Sequence, residues 1–164
     1  MKLTLAMLAA AALFVSGPVL AHEAKTTLMP EDPAALEFQQ AVGYSDAVIH
    51  GDTIYLSGVV AGPADGETGM EPAFTRAFEH LTRTLARLGA TWDDVLVFDT
   101  FHNGPMAAQL DALVPVKNRY ITAPFPAWTA VGVTELYEPT ALLEIKLTVR
   151  NPAASAKPPM DAAQ

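Results

Sequence analysis

Apolar side chains recur along the middle of this chain with two different periods. Between residues 47 and 60 they alternate with polar ones in two short runs that meet at Gly51-Asp52, a pattern that predicts a β-hairpin with a tight turn. Further along, apolar residues are spaced by 4, 3, 4 and 3 positions, the period of an amphipathic helix that ends at Gly89. The stripe they form, which we interpret as core packing, consists of Phe74, Phe78, Leu81, Leu85 and Leu88.

The second half of the chain continues the alternation between strands and helices. Residues 92–102 carry the β-branched and aromatic side chains of a strand, and residues 106–121 predict a helix that Pro115 should kink or shorten. Two more strands close the chain. The resulting order, ββαβαββ, predicts an α+β fold with a mixed sheet and both helices on one face, because parallel neighbouring strands need a helical crossover between them.

Side chains of the last two predicted strands can be assigned to faces, because they alternate across a sheet. One face of the last strand should meet the helices and consists of Leu143, Ile145, Leu147 and Val149; the other consists of Leu142, Glu144, Lys146 and Thr148. We place Trp128, from the preceding strand, together with Glu144 on the face away from the helices. Apolar surface on that face predicts burial against other copies of the chain.

The two ends of the chain differ in composition from the middle. Residues 1–21 combine Lys2, an apolar run and the small-residue site Val19-Leu20-Ala21, which together indicate a cleavable signal peptide and a periplasmic or secreted protein. The alternative, a retained membrane anchor, is disfavoured because the apolar run is short and is interrupted by a Gly-Pro pair. The remaining segments are interpreted as an extended linker (residues 22–36), one domain (residues 37–151) and a disordered tail (residues 152–164).

Charge and composition narrow the function classes. The chain has a formal net charge of −8 and no cysteine, so it offers no disulfide, no thiol nucleophile and no thiolate metal site. On the predicted helix, Arg76, Arg83 and Arg87 are interleaved with Glu79 at the spacing of ion pairs, and no cluster of basic residues suits a phosphate backbone. We therefore expect no nucleic-acid partner. The histidines show no metal-binding spacing and no cofactor motif occurs, so neither a metal nor a cofactor is expected.

Three motifs resemble the signature of one protein family. They are GYSDAV at residues 43–48, TIYLSG at residues 53–58, and FPAWTAVGV at residues 125–133 followed by LLEI at residues 142–145. In this order and spacing they are similar to the Rid family, also written YjgF/YER057c/UK114. The resemblance implies a ββαβαββ subunit with a mixed six-stranded, chorismate-mutase-like sheet, assembly into a trimeric barrel, and small-molecule clefts between neighbouring subunits.

The resemblance also assigns roles to residues, and one expected residue is missing. In the family's deaminases an arginine holds the substrate carboxylate, and a glutamate on the next strand positions the water that releases ammonia from an imine. Glu144 matches that glutamate and is our candidate catalytic residue, whereas Trp128 falls on the arginine and Ala130 on a cysteine of some members. Because an indole has one N–H donor and no charge, the substitution disfavours an anionic imine as the substrate.

The residues that the resemblance brings to the cleft define a predicted small-molecule site. It would be lined by Tyr44, Ser57, Gly58, Phe125, Trp128 and Ala130, with Glu144 beside them. Aromatic walls with few polar groups favour a neutral or cationic ligand, which Trp128 could hold over its face. Structural roles stay open: interface filling for Trp128, hydrogen-bond acceptance for Glu144, packing for Tyr44, and a bulge or turn at Ser57-Gly58.

Three functions therefore stay open for an exported protein of this type. It could bind a small metabolite without efficient turnover. It could hydrolyse enamine, imine or related C–N compounds that lack a carboxylate, or it could retain a deaminase activity that does not need the arginine. Its expected partners are a small molecule and further copies of itself, with no membrane attachment after the signal peptide is removed.

Overall fold

The computed structural model describes residues 24–155 of the 164-residue chain. This part contains the strands β1 (Thr26–Leu28), β2 (Ala47–His50), β3 (Thr53–Leu56), β4 (Val59–Ala61), β5 (Val95–Asn103), β6 (Ala127–Val133) and β7 (Leu143–Arg150). Its α-helices are α1 (Pro33–Val42), α2 (Glu71–Arg87), α3 (Met106–Lys117) and α4 (Pro152–Ser155). None of these described helices is long and apolar enough to cross a membrane.

All described strands belong to one mixed sheet. Its order is β1-β2-β3-β7-β5-β6, and β4 also pairs with β7, following β3 along the same edge of that strand. β5 and β6 run parallel and are connected through α3, whereas the other pairs are antiparallel. The predicted α+β class is confirmed. The sheet has seven strands, whereas the resemblance implied six. The five strands of the predicted order ββαβαββ become seven because Ser57-Gly58 divides the predicted strand over residues 53–60 and β1 adds another.

The hairpin between β2 and β3 forms where the alternation predicted it. The two strands pair in register from Ala47 opposite Leu56 to His50 opposite Thr53. Gly51 lies in the turn with a φ of 59°, a left-handed conformation that glycine adopts without a steric penalty. The hairpin prediction is therefore confirmed.

The core lies between the sheet and the two long helices. In α2 the side chains predicted to face inward are buried, namely Phe74, Phe78, Leu81 and Leu85. They form one cluster with the inward face of β7, which consists of Leu143, Ile145, Leu147 and Val149, as the alternation predicted. α3 ends at Lys117 rather than at residue 121 and contains Pro115 in its last turn, in agreement with the expected shortening.

Two segments expected to be irregular contain regular structure. β1 and the start of α1 fall within residues 22–36, so the linker prediction is wrong for those residues. Asp32 Oδ1 accepts a hydrogen bond from Ala35 N at 2.8 Å and Pro33 begins the helix, so the proline and acid that suggested a linker are a helix-start signal. α4 likewise occupies the start of the predicted tail; residues 156–164 and the predicted signal peptide lie outside the described residues.

The predicted strand over residues 92–102 begins later than expected. Trp92–Asp94 form a short 3-10 turn, and β5 starts at Val95. Asp94 Oδ2 accepts a hydrogen bond from Thr91 N at 2.9 Å, which closes a capping box around the turn. The aromatic residue that suggested a strand is therefore part of a helical turn.

Candidate functional site

Trp128 lies on the face of the sheet that the helices cover. β6 pairs in parallel with β5, and Trp128 is opposite Phe98, whose side chain is fully buried. The two ring centroids are 5.6 Å apart, and Phe98 also contacts Phe78 of α2 at 5.9 Å. The sequence-based assignment of Trp128 to the opposite face is therefore wrong. Alternation divides an edge strand into two sets of residues, but only its pairing with β5 decides which set meets the helices.

A buried hydrogen-bond network holds the Trp128 ring. The indole Nε1–H donates to Thr100 Oγ1 at 3.0 Å, and the same hydroxyl oxygen lies 3.0 Å from His102 Nε2. His102 Nδ1 lies 2.9 Å from Gln109 Oε1, while Gln109 Nε2 donates to the backbone carbonyl of Asn103. Since the amide nitrogen of Gln109 is the donor there, its oxygen accepts, and His102 Nδ1 carries a proton. The single donor of Trp128 is thus used within the subunit.

Beside this ring lies a small cavity, the Trp128 pocket, with a volume of about 270 Å³. It is lined by Phe98, Lys117, Asn118, Ile121, Phe125, Pro126 and Trp128. Lys117 Nζ is 5.4 Å from the centre of the Trp128 ring and 5.8 Å from that of Phe125, within range of cation–π attraction. The sequence reasoning missed Lys117, because a lysine in the last turn of a helix suggests only an interaction with the helix dipole.

Glu144 lies on the uncovered face of the sheet, as its place in β7 predicted. Its neighbours in β7 are fully buried, and its register partners on adjacent strands are Val60 and Phe101. The carboxylate rests against Gly58, where an added Cβ would come within 1.7 Å of Glu144 Oε1. Among the described residues, no group forms a hydrogen bond or an ion pair with this carboxylate. It is therefore available to a water molecule or a ligand.

Tyr44, Ser57 and Gly58 line a larger cavity, the α1–α2 groove, which has a volume of about 640 Å³ and lies between α1, α2 and the β3–β4 segment. Ser57 Oγ donates to the backbone carbonyl of Ser45 at 2.7 Å, so this hydroxyl fastens the chain where β3 ends. Tyr44 packs edge-on against Phe38 with ring centroids 6.3 Å apart. Ser57-Gly58 forms the break between β3 and β4, so these two residues have a structural role in this segment.

Three arginines of α2 border the α1–α2 groove, and two of them, Arg76 and Arg87, are paired with acids from other segments. Arg76 forms an ion pair with Glu67, and an Nη of Arg87 lies 3.4 Å from an Oδ of Asp46. Pairs with Glu79, which the helical spacing predicted, do not occur in the described part of the chain. These guanidinium groups therefore pair with Glu67 and Asp46, which lie in loops, and not with Glu79 of the same helix.

Two ionisable side chains of this region have shifted pKa values. The pKa of His80 is lowered, mainly because burial disfavours the imidazolium and then because Arg83 repels it, while Asp46 acts in the opposite direction. The pKa of Glu67 is lowered by the hydrogen bond from Arg76. Burial and neighbouring arginines therefore both affect the charge states of side chains in this region.

Within one chain, the predicted cleft residues are distributed over two cavities. Tyr44, Ser57 and Gly58 line the α1–α2 groove, whereas Phe125 and Trp128 line the Trp128 pocket. Neither cavity is lined by Glu144 or by Ala130, which is opposite Thr100 on β5. Over residues 24–155, no three His, Asp or Glu side chains are arranged to hold a metal ion.

Comparisons with known proteins agree on one family. The family model described as endoribonuclease L-PSP matches residues 34–151. The RutC family protein YjgH of Escherichia coli K12 is 42% identical over 98 residues, which are 57% of this chain and 72% of that protein. The solved structure of protein YJGH has 35% identity and a TM-score of 0.65, covering 78% of this chain and 97% of that chain. Rv2704 of Mycobacterium tuberculosis has the same fold, with 24% identity and a TM-score of 0.64 over 77% of this chain and 99% of that chain. The chain therefore belongs to the YjgF/YER057c/UK114, or Rid, family.

Proposed function

We propose that this protein is an exported, trimeric Rid-family protein that binds a small metabolite in clefts between subunits and does not deaminate imines efficiently. The observation that carries the proposal is the hydrogen bond of 3.0 Å from Trp128 Nε1–H to Thr100 Oγ1. With that donor used inside the subunit, the position that matches the deaminase arginine presents only an aromatic face. Such a face stacks on a ring and cannot replace the planar fork that holds a carboxylate.

The expected loss for a carboxylate-bearing imine is large. An arginine would supply two charge-assisted hydrogen bonds, each worth about 1.5 to 3 kcal/mol. Losing both corresponds to roughly two to four orders of magnitude in the rate or affinity for an anionic imine. Trp128 therefore argues against the family's deaminase chemistry and leaves the cleft as a binding site.

The uncovered sheet face supports assembly with other copies of the chain. Val60, Glu144, Phe101 and Val131 are successive register partners across β4, β7, β5 and β6, so they form one row on this face. Val60 is 41% exposed and Val131 is 39% exposed in the single subunit. Exposed apolar rows of this kind are typical of surfaces that other subunits bury. Glu144 and Trp128 lie on opposite faces of one subunit, so the cleft that the family resemblance implies for them requires a second subunit.

Export is proposed from the amino-terminal sequence. Lys2, the apolar run after it and the small residues before position 22 carry this proposal. A mature form released by cleavage would have no membrane attachment. Fractionation of cells that express the full chain, followed by amino-terminal sequencing of the product, tests it: a mature protein that begins at His22 is expected.

Cleavage of RNA, the activity in the name of the family model, is not part of this proposal. The chain carries a formal net charge of −8, and binding to a phosphate backbone requires accessible cations. Arg76 and Arg87 are already engaged by Glu67 and Asp46. The charge distribution therefore favours a small ligand over a nucleic acid.

A second function, hydrolysis of enamine or imine compounds, is favoured by one observation. The Glu144 carboxylate has no hydrogen-bond or ion-pair partner among residues 24–155. A carboxylate without a structural partner can position a water molecule for attack on a C=N carbon and accept its proton. In this alternative, Glu144→Gln abolishes turnover; in the binding function, the same variant retains its affinity.

Ammonia release from 2-iminopropanoate, generated in situ, tests the proposed function. The mature protein, its Trp128→Arg variant and its Trp128→Gln variant are compared at equal concentration. We expect no release above the uncatalysed rate from the unmodified protein or from Trp128→Gln, which removes the indole without adding a cation. Release by Trp128→Arg alone would assign the lost activity to this position. Efficient release of ammonia by the unmodified protein would overturn the proposal and indicate that the protein is a deaminase.

A further inference from the structure

The Trp128 pocket contains a buried cation that the sequence comparison does not assign to any role. Lys117 is only 9% exposed, although its side chain ends in an ammonium group with three N–H donors. Its Nζ donates one hydrogen bond, of 2.8 Å, to Asn118 Oδ1. The remaining contacts of the ammonium are with the faces of Trp128 and Phe125. Two of its three N–H donors are therefore left without a protein acceptor among the described residues.

A buried ammonium without a carboxylate partner is unfavourable. No ion pair within residues 24–155 involves Lys117. Removing such a charge from water is unfavourable unless an anion or several acceptors compensate it. Aromatic faces and one amide oxygen compensate only in part. The pocket thus contains a positive charge that a bound anion would neutralise.

The surrounding side chains restrict the shape of that anion. Phe125 is 70% exposed and Trp128 is 38% exposed, so both rings present apolar surface at the mouth of the pocket. Trp128 offers no donor, because its N–H is turned toward Thr100. A volume of about 270 Å³ suits a compact ligand with a single ring. A cationic ligand, which the sequence favoured, would instead be repelled by Lys117 from the same ring face.

We propose that Lys117 makes the Trp128 pocket a site for a small aromatic carboxylate, with the carboxylate on Nζ and the ring against Phe125 and Trp128. This inference deepens the proposed binding function and rests on it, because it names the ligand class of one cavity. Lys117 is then the residue that sets specificity. It differs from a deaminase arginine in supplying a point charge from α3 rather than a planar fork from β6.

Calorimetric titration of the mature protein with phenylacetate and with phenylacetamide tests the proposal. The two compounds have nearly the same shape and differ in charge. We expect phenylacetate to bind at least about tenfold more tightly, the size of one charge-assisted hydrogen bond. Lys117→Met, which keeps the length of the side chain and removes the charge, should abolish this preference and leave the affinity for phenylacetamide unchanged. Lys117→Arg should keep the preference.

Lys25→Met is the matched control, since Lys25 is exposed near β1, outside the Trp128 pocket, and the variant has the same change in net charge. It should bind both compounds like the unmodified protein.

Equal binding of both compounds to the unmodified protein would overturn the assignment of Lys117 while leaving the proposed binding function intact. A different outcome is that Lys117→Met dissociates the oligomer and keeps the preference for phenylacetate. That result would mean that an acid of a neighbouring copy pairs with Lys117, and it would also overturn the proposed ligand site. Absence of binding by either compound would reject the ligand class, and the ammonia assay would still decide the proposed function independently.

Discussion

Trp128 donates its indole proton to the hydroxyl of Thr100 on the neighbouring strand, over a distance of 3.0 Å. Thr100 is fully buried and its hydroxyl also meets His102 Nε2, so the ring is fixed to the interior of its own subunit. The bond holds the ring in one orientation, with its face toward the Trp128 pocket.

Replacing Thr100 by valine should destabilise the protein. The change keeps the shape of the side chain but leaves the Trp128 N–H and a buried nitrogen of His102 without a partner, at a cost of about 1 to 3 kcal/mol for each unsatisfied group. We expect the free energy of unfolding, measured by urea denaturation, to fall by about 2 kcal/mol or more. Thr134→Val is the control, because Thr134 is exposed just after the end of β6 and should change stability by less than about 0.5 kcal/mol. Equal effects of the two variants would contradict the network.

Much of the fold could be predicted because burial leaves a periodic pattern. The stripe of Phe74, Phe78 and Leu81 identified α2, and the alternation along β7 identified its buried face. β1 and β4 have three residues each, too few for a period to be recognised. β1 and β4 are strands because they pair with β2 and β7, respectively. This pairing between distant segments cannot be recognised from the local sequence pattern.

The candidate site could be predicted only in part. The face of Glu144 followed from the alternation of a strand that is buried on one side. Trp128 was assigned to the wrong face because β6 is an edge strand with exposed residues on both faces. Its alternating positions therefore do not differ in burial, and the pattern does not show which face meets the helices. Lys117 was missed because its burial depends on the loop that carries Phe125 over it, a contact between segments that no spacing along the chain reveals.

Gly58→Ala should displace the Glu144 carboxylate. A methyl group at this position would come within 1.7 Å of Oε1 and 2.5 Å of Cδ, so the side chain must take another rotamer. We expect a loss of stability of about 1 kcal/mol, the usual cost of an off-rotamer or displaced side chain. Any turnover that depends on Glu144 should be lost as well. Urea denaturation and an activity assay measure the two effects.

A double-mutant cycle isolates this contact. In a Glu144→Ala background, the added methyl group of Gly58→Ala meets no carboxylate, so its cost should largely disappear. Gly132→Ala serves as the control, since its Cβ would lie at an ordinary distance of 3.6 Å from Met106 Cε. If Gly58→Ala costs the same with and without Glu144, the close approach of the two residues is not the cause.

Stability should fall on mild acidification because of His80. Its pKa in the folded protein is lowered, by burial and by Arg83, so the unfolded chain binds the proton more readily than the folded protein does. The stability from neutral His80 is therefore complete above the ordinary pKa near 6.5 and decreases as the pH falls below it, until the lowered pKa is reached. Thermal unfolding at pH 8 and pH 5.5 should show a smaller decrease for His80→Gln than for the unmodified protein. The same decrease in both proteins would exclude His80 as the source.

The proposed trimer requires that the uncovered face of the sheet is buried between subunits. Val131 lies in the row that runs through Phe101 and Glu144, so a lysine there would place a charge inside the buried surface that assembly creates. Sedimentation of the unmodified protein should give a trimer, and Val131→Lys should give mainly monomer. Val42→Lys makes the same chemical change on α1, at a side chain that is 60% exposed, and should remain trimeric. A trimer that survives Val131→Lys would place the interface on another surface, and the pairing of Glu144 with a neighbouring Trp128 would have to be given up with it.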